Sequence, residues 1–120
     1  MSRINLVVYQ NDPRTAQALA VSLSQHFGSV DLANRYEEVR PAIARNHAQV
    51  LVLDMERSQP DEIGRLHREF PSLCIVGTHR LADEQLWAEA LGQGAADLCS
   101  PCDHEVVRSV MHEFGRQAAA

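Results

Sequence analysis

Several residues with chemically useful side chains stand where apolar segments of the chain end. The run AQVLVL, residues 48–53, stops at a single carboxylate, Asp54. The polar residues that end the other long apolar runs are Gln10, Asn11, Asp12 and Thr78. A charge at the end of a buried segment needs a partner or a function, because burying a lone charge is costly. Asp54 is therefore either a reactive carboxylate or an inherited one that pairs with a nearby group.

A second group of reactive residues lies in the segment LCSPCDH, residues 98–104. Cys99 and Cys102 form a Cys-x-x-Cys pair, and His104 follows two residues later. Such a pair near a helix N-terminus can have a lowered thiol pKa and act as a redox switch. Together with His104 it could contribute to a zinc site, but a structural zinc ion needs four ligands. The simpler interpretation is that Cys99 is a core residue and Cys102 a loop residue, while Cys74 is buried filler.

The apolar pattern around these residues alternates between continuous runs and helical spacing, which predicts alternating strands and helices. The predicted strands are 4–8, 29–33, 49–54, 73–78 and 95–99. The predicted helices are 12–28, 35–46, 60–70, 82–94 and 103–115. Asp12 and Asp103 are expected to act as N-caps, Gly28 is expected to stop the first helix, and Pro60 or Asp61 is expected to start the third. Pro41 should kink the second helix or shift its start.

This alternation predicts a single α/β domain with a parallel sheet covered on both faces. The three strands that are continuously apolar should be central, and the two shorter, more polar strands should lie towards the edges. The flavodoxin-like, doubly wound order 2-1-3-4-5 with five helices fits this pattern. Sheets of this kind have their sites at the carboxyl ends of the strands, beside the point where the strand order reverses. Asp54 falls there.

Composition narrows the classes of function. The chain has 120 residues, 45% of them hydrophobic, which suits one domain spanning 1–120. Its net charge of −5 argues against direct nucleic-acid contact, and no apolar run is long enough for a membrane span. Three cysteines without a secretory signal predict a cytoplasmic protein. All eleven basic residues are arginine, so the chain has no lysine. The C-terminal RQAAA is typical of the start of a linker, and the domain is expected to be the N-terminal part of a longer regulator.

In its order and spacing of motifs the chain resembles the receiver (CheY-like) domains of bacterial two-component response regulators. The resemblance rests on VVYQNDPRTAQAL, VLVLDMERSQPDEIGRL, CIVGTHR and ALGQGAADLCSP, and covers nearly the whole chain. In that family two acidic residues after the first strand hold Mg²⁺, and an aspartate ending the third strand accepts a phosphoryl group. A Thr or Ser ends the fourth strand, and a Lys-Pro pair follows the fifth. The resemblance thus implies that Asp54 is the phosphoacceptor position, with Thr78 as the hydroxyl residue and Pro101 as the proline.

The chain departs from the family at the remaining positions. Gln10 and Asn11 stand where the acidic pair belongs, with Asp12 one place later, and Ser100 stands where the lysine belongs. The aromatic residue usual in the fifth strand is replaced by Leu98. Mg²⁺ is a hard cation usually held by carboxylates, and phosphoryl transfer depends on positioning and charge neutralisation. These losses predict inefficient phosphorylation, with no cofactor expected and Mg²⁺ required only if the site is active.

The sequence therefore predicts a non-enzymatic, atypical receiver domain that works through protein contacts, in a regulator of phosphorelay or transcription. One alternative is a site still phosphorylated at Asp54, with Glu56 or Asp12 supplying a metal carboxylate. The other is a redox- or metal-responsive switch at Cys99 and Cys102. A flavin site is rejected because YQNDPR is not a phosphate-binding loop, and no nucleophile and base form a hydrolase motif.

Protein partners are expected on the face formed by the fourth helix, fifth strand and fifth helix, through a homodimer or an attached output domain. Trp87 lies in the fourth helix and is either an interface anchor or a core residue. His79 could cover the altered site. The other polar helix residues are expected to be surface groups: His67, His112, Glu37, Glu38, Asp61 and Glu62. The ordinary explanation for Asp54 is that its carboxylate forms an ion pair with Arg57 or Arg80.

Overall fold

The computed structural model describes residues 3–59 and 61–119, with side chains given as far as residue 117. Within these described residues, five strands alternate with five α-helices. The strands are β1 (Ile4–Tyr9), β2 (Gly28–Ala33), β3 (Val50–Asp54), β4 (Cys74–Thr78) and β5 (Asp97–Cys99). The helices are α1 (Pro13–His26), α2 (Val39–Asn46), α3 (Glu62–Glu69), α4 (Glu84–Gln93) and α5 (Asp103–Ala119), and a short 3₁₀ turn (Tyr36–Glu38) precedes α2. Within the described residues, no helix is both long and apolar enough to span a membrane.

The five strands form one parallel sheet in the order β2-β1-β3-β4-β5, which confirms the fold predicted from the sequence. β3 pairs with β1 on one side and with β4 on the other, where Asp54 stands opposite Thr78. The order reverses between β1 and β3, so the loops after these two strands open a crevice at the carboxyl edge. Asp54 ends β3 at this crevice.

Two apolar layers hold the sheet, one on each face. Residues at alternate positions of β1, β3 and β4 point to opposite sides, as the period of a strand requires. On one face Val7, Leu51 and Ile75 pack in a core that includes Ile43 and Ile63 from the helices on that side. The core of the opposite face contains Leu6, Val8, Val52, Val76, Leu19, Leu23, Val106 and Val110, which brings in α1 and α5. Both faces of the central strands are therefore sealed, and the polar strand ends are held in fixed positions.

Local signals set most helix ends, although some ends differ from the sequence prediction. Asp12 is the N-cap of α1 as expected, but Gly28 begins β2 instead of ending the helix, with φ of 146°. Of the two outcomes predicted for Pro41, the shifted start is the one found, since a 3₁₀ turn comes first and Pro41 lies in the first turn of α2. Asp103 is the first residue of α5 and not its N-cap. The backbone carbonyl of Cys102 accepts the Val106 N–H at 2.9 Å, so Cys102 is the N-cap. Pro60 lies outside the described residues.

The prediction that the acidic helix residues are all surface groups was wrong for Glu62. Glu62 is 2% exposed at the start of α3, and its Oε2 accepts a hydrogen bond from Arg40 Nη1 at 2.7 Å. Arg40 also donates to Glu69 and to the hydroxyl of Tyr36. A buried carboxylate persists only with such a partner, so this network joins α2 to α3 on the side of the sheet that carries them.

Candidate functional site at the carboxyl edge of the sheet

The crevice beside β1 and β3 is a polar cavity of about 270 Å³. It is lined by Gln10, Asn11, Asp12, Thr15, Asp54, Glu56, Arg57, Arg80 and Pro101. Most of these residues were expected at this site from the sequence, and the fold brings them together. Two predicted neighbours do not line the cavity: Thr78, which is 1% exposed beneath it, and Ser100. His79 lines a neighbouring cavity.

Asp54 is nearly buried, with 6% exposure, and its carboxylate is held by the backbone of two loops. Oδ2 accepts a hydrogen bond from the N–H of Asn11 at 2.9 Å, in the loop after β1. Oδ1 accepts one from the N–H of Glu56 at 2.9 Å, in the loop after β3. Hydrogen bonds to an ionised carboxylate are among the strong ones. The carboxylate therefore joins the two loops at the reversal of strand order, and backbone groups rather than Arg57 or Arg80 hold it.

Gln10 forms the contact that most distinguishes this site. Its side chain is buried, and Nε2 donates a hydrogen bond to Thr78 Oγ1 at 2.8 Å. The bond crosses β3 from the end of β1 to the end of β4, and both partners are uncharged. A buried amide that lost this acceptor would incur a desolvation cost, so the bond fixes both side chains. The hydroxyl of Thr78 is thus already engaged within the protein.

Asp12 serves mainly as a helix cap. Oδ1 accepts from the N–H of Arg14 at 3.3 Å, and Oδ2 accepts from the hydroxyl of Thr15 at 2.8 Å. The hydrogen bond from Thr15 lowers the pKa of the Asp12 carboxyl below its ordinary value. Capping of this kind satisfies the free N–H groups of the first helical turn. Asp12 is therefore held at the start of α1.

Glu56 is engaged by Arg80 at the mouth of the cavity. Arg80 Nη2 donates to Glu56 Oε1 at 2.8 Å, and Nε donates to the same oxygen at 3.0 Å. The backbone N–H of Arg80 donates to Oε2 at 3.2 Å. The hydrogen bond from the guanidinium lowers the pKa of the Glu56 carboxyl. Because Arg80 is largely exposed, this pair adds little stability, but it does direct the Glu56 carboxylate to a cation.

The cavity therefore combines three carboxylates with two guanidinium groups, from Arg57 and Arg80. Throughout the described part of the chain, the only set of three or more metal-ligating side chains with ligand atoms within 4.8 Å of one another is Cys102, His104 and Glu105. The carboxylates of Asp12, Asp54 and Glu56 do not converge to that degree. The cavity is therefore a site of mixed charge in which the three carboxylates are spread apart.

A second cavity, of about 210 Å³, lies under α4 next to this site. Its apolar wall is formed by Met55, Leu86, Ala90 and Leu98, and its polar rim by His79, Glu89, Gln93, Ser58 and Gln59. Leu98 occupies the position where the resemblance implies an aromatic side chain. The smaller side chain leaves part of this space open between β5 and α4.

The cysteines are not equivalent. Cys74 is buried in β4, and Cys99 is partly buried in β5. Burial raises the pKa of both thiols to about 12. A thiol with a pKa this high is almost entirely protonated near neutral pH and is a poor nucleophile. Cys102 is also half-buried, at the start of α5, and its Sγ lies 3.0 Å from His104 Nδ1.

Trp87 lies on the surface of α4, so the interpretation that it fills the core was wrong. It is 43% exposed and belongs to neither apolar core. Its Nε1 donates to Asp97 Oδ1 at 3.0 Å, and Asp97 Oδ2 accepts from the hydroxyl of Ser109 at 2.6 Å. Asp97 thereby links α4, β5 and α5. The aromatic ring is anchored at its polar edge while part of it remains exposed.

No known protein-family profile matches the chain, and no curated protein matches it in sequence. Solved structures do match. A CheY-like receiver domain protein from Methanospirillum hungatei JF-1 is 13% identical, with a TM-score of 0.84 and 98% of each chain covered. A two-component response regulator from Clostridium difficile is 20% identical, with a TM-score of 0.80, over 95% of this chain and 98% of that one.

A third solved structure is described as an atypical orphan response regulator with a phosphorylation-independent regulatory mechanism. It is 10% identical, with a TM-score of 0.80, over 93% of this chain and 96% of that one. Likeness at 20% identity or less identifies a fold and not a function. The matches extend over nearly the full length of this chain and of each matched chain, and they agree with the observed strand order. The chain therefore has the fold of response-regulator receiver domains.

Proposed function

We propose that the chain is an atypical receiver domain that signals through protein contacts, without Mg²⁺-dependent phosphorylation of Asp54. The observation that carries the proposal is the buried hydrogen bond from Gln10 to Thr78. An uncharged amide occupies a position where the family resemblance implies a metal-binding carboxylate. The same amide engages the hydroxyl of Thr78, which the resemblance implies as the hydroxyl residue at the end of the fourth strand.

Weak metal binding follows from how the carboxylates are used. Asp12 caps α1, and Glu56 binds Arg80, so neither carboxylate is free of other partners. Asp54 already accepts two backbone hydrogen bonds. A hard cation entering the cavity would have to break one or more of these contacts. The geometry therefore supports a site that does not recruit Mg²⁺ readily.

A slow phosphoryl transfer follows from the charges. Transfer to Asp54 brings phosphate charge against an anion, and Gln10 and Ser100 replace two groups that would offset it. A strong charge contact in a sheltered site is worth on the order of a few kcal/mol, and about 1.4 kcal/mol is a tenfold change in rate. Losing both contacts predicts a rate lower by several orders of magnitude. Arg57 and Arg80 are the cations that line the cavity, and the guanidinium of Arg80 is already bound by Glu56.

Asp54 has a structural role in this proposal. Its two hydrogen bonds connect the loop after β1 to the loop after β3 without any phosphate. The solved receiver-like structure described as phosphorylation-independent has the same fold, which supports this use of the fold. The state of the domain then depends on what binds its surface.

The contact surface is the face formed by α4, β5 and α5, and the partner is a second copy of the domain. Trp87 supports this choice, since a half-exposed tryptophan is a favoured anchor residue. Its hydrogen bond to Asp97 holds the ring before binding, which reduces the entropy lost on association.

The proposal is tested by restoring the missing groups. Phosphorylation by acetyl phosphate with Mg²⁺ is followed by intact mass for the native domain and for Gln10→Asp/Ser100→Lys. The double variant should gain a phosphoryl group at least ten times faster than the native domain, because it regains a metal carboxylate and a cation. The gain should disappear when Asp54→Asn is added.

A matched control carries the same charge changes away from the site. Gln25→Asp/Ser29→Lys uses two exposed positions on α1 and β2 and should behave like the native domain. Equal rates in the native domain and in the restored variant, with both folded by circular dichroism, would contradict the claim that these two positions limit phosphorylation.

A further inference from the structure

Three side chains with different metal-binding atoms converge on the first turn of α5. They are the thiol of Cys102, the imidazole of His104 and the carboxylate of Glu105, with ligand atoms all within 4.8 Å of one another. Cys102 Sγ lies 3.0 Å from Nδ1 and 4.0 Å from Nε2 of His104. Cys102 and Glu105 are half-buried, and His104 is exposed, so the cluster opens to solvent.

The backbone explains this convergence. Cys102 is the N-cap of α5, because its carbonyl accepts the N–H of Val106 at 2.9 Å. Glu105 is therefore at the third helical position, and its carboxylate lies within 4.8 Å of the Cys102 sulfur. The N–H of Cys102 donates to the carbonyl of Ser100 at 2.8 Å, and this bond further fixes the backbone that carries the thiol. Helix geometry thus brings the sulfur and the carboxylate to one side.

The set of ligand atoms selects the metal. Thiolate and imidazole suit zinc, while Mg²⁺ and Ca²⁺ prefer sites made only of oxygen. Zinc binds cysteine sulfur at about 2.3 Å, histidine nitrogen at about 2.0–2.1 Å and carboxylate oxygen at about 2.0–2.2 Å, in a tetrahedron. Ligand atoms around one such ion lie roughly 3.3–3.7 Å apart. Small side-chain rotations bring the three groups into this range.

We propose that Cys102, His104 and Glu105 form a zinc site at the N-terminus of α5, with water as the fourth ligand. The site is separate from the Asp54 cavity, and it stands whether or not the domain is phosphorylated. Its ligands also differ from those that the Cys-x-x-Cys motif suggests, because the third protein ligand is Glu105 and not Cys99. A thiolate and a carboxylate supply two negative charges that balance Zn²⁺.

Binding has a defined proton balance. The thiol of Cys102 gives up its proton to solvent when sulfur binds zinc, while neutral His104 and ionised Glu105 bind without releasing one. Zinc affinity should therefore fall as the pH is lowered, because protons compete with zinc for the ligand atoms. If the thiol and the imidazole only formed a hydrogen bond with each other, the cluster would not need zinc and would show no such pH dependence of zinc binding.

The test is zinc binding to the reduced 120-residue chain, measured by competition with a chromophoric chelator. The native domain should bind one zinc ion. Cys102→Ser and His104→Ala should each bind it at least tenfold more weakly, and Glu105→Gln should bind it several-fold more weakly. Cobalt should give a thiolate charge-transfer band in the native domain and not in Cys102→Ser.

His112→Ala is the matched control, since it removes an exposed imidazole from the same helix outside the cluster. It should bind zinc like the native domain, and all variants should keep the native circular dichroism. The proposal is overturned if the native domain shows no saturable zinc binding, or if the His104→Ala affinity equals that of His112→Ala. Unchanged affinity in Glu105→Gln would overturn the assignment of the third ligand.

Discussion

The hydrogen bond from Gln10 to Thr78 should be measurable as an energetic coupling between two strands. Thr78→Val keeps the shape of the side chain and removes the acceptor of the Gln10 amide, which is 2.8 Å away in a buried position. A buried donor left without a partner costs roughly 1–3 kcal/mol. We expect Thr78→Val to lower the free energy of unfolding by about 2 kcal/mol, and Gln10→Leu to lower it by a smaller amount.

The double variant Gln10→Leu/Thr78→Val replaces both partners by apolar groups of similar size. Such a replacement is close to neutral, because no polar group is left unsatisfied. The double variant should therefore be more stable than the sum of the single changes predicts, with a coupling of about 1–2 kcal/mol. Urea denaturation measures these free energies, provided that the slope with denaturant concentration is unchanged.

A second cycle pairs Thr78→Val with Ser24→Ala, a substitution at an exposed position on α1. These two changes should add to within about 0.5 kcal/mol, since the residues share no contact. Additive energies in the Gln10 and Thr78 cycle as well would refute the reasoning. They would mean that the amide and the hydroxyl do not depend on each other, and that the Thr78 hydroxyl is available to other partners.

Other predictions concern the rest of the domain. Arg40→Ala should lower the free energy of unfolding by about 2 kcal/mol, because it leaves a buried carboxylate unpaired. Arg45→Ala, which breaks an exposed ion pair on the same helix, should cost less than about 1 kcal/mol; equal losses in urea denaturation would contradict this. Trp87→Ala should weaken self-association in sedimentation without unfolding the domain, whereas the more exposed Leu81→Ala should not; unfolding by Trp87→Ala would exclude the interface role. Alkylation of the folded domain at pH 8 should modify Cys102 alone, because the pKa values of the two other thiols are raised to about 12 and their thiolates form only as the pH nears that value. A mass gain of three alkyl groups would show that this protection is absent.

Much of the fold could be predicted because each element carries a local signal. The continuous apolar runs that became β1, β3 and β4 could only be central strands, and the strand-end residues then had to meet at one edge. Helix ends were less predictable. α5 continues past Gly115 to Ala119, since a glycine costs a helix only about 1 kcal/mol relative to alanine and good helix formers follow it.

The contacts that give the site its character join residues far apart in sequence, so no local pattern indicates them. Gln10 and Thr78 are 68 positions apart, and Arg40 and Glu62 are 22 apart. Glu62 was predicted to be a surface group because its local pattern is that of an ordinary first helical turn. The cluster at Glu105 could have been found, since a cysteine at the N-cap and a glutamate three positions later have the spacing of a capping box.

The central claim is that Asp54 is not phosphorylated efficiently. The most direct measurement is the intact mass of the native domain after incubation with acetyl phosphate and Mg²⁺, beside Asp54→Asn treated in the same way. Because the metal carboxylate and the cation are replaced by Gln10 and Ser100, we predict that neither protein gains a stoichiometric phosphoryl group. A gain of one phosphoryl group by the native domain that is lost in Asp54→Asn would contradict the account.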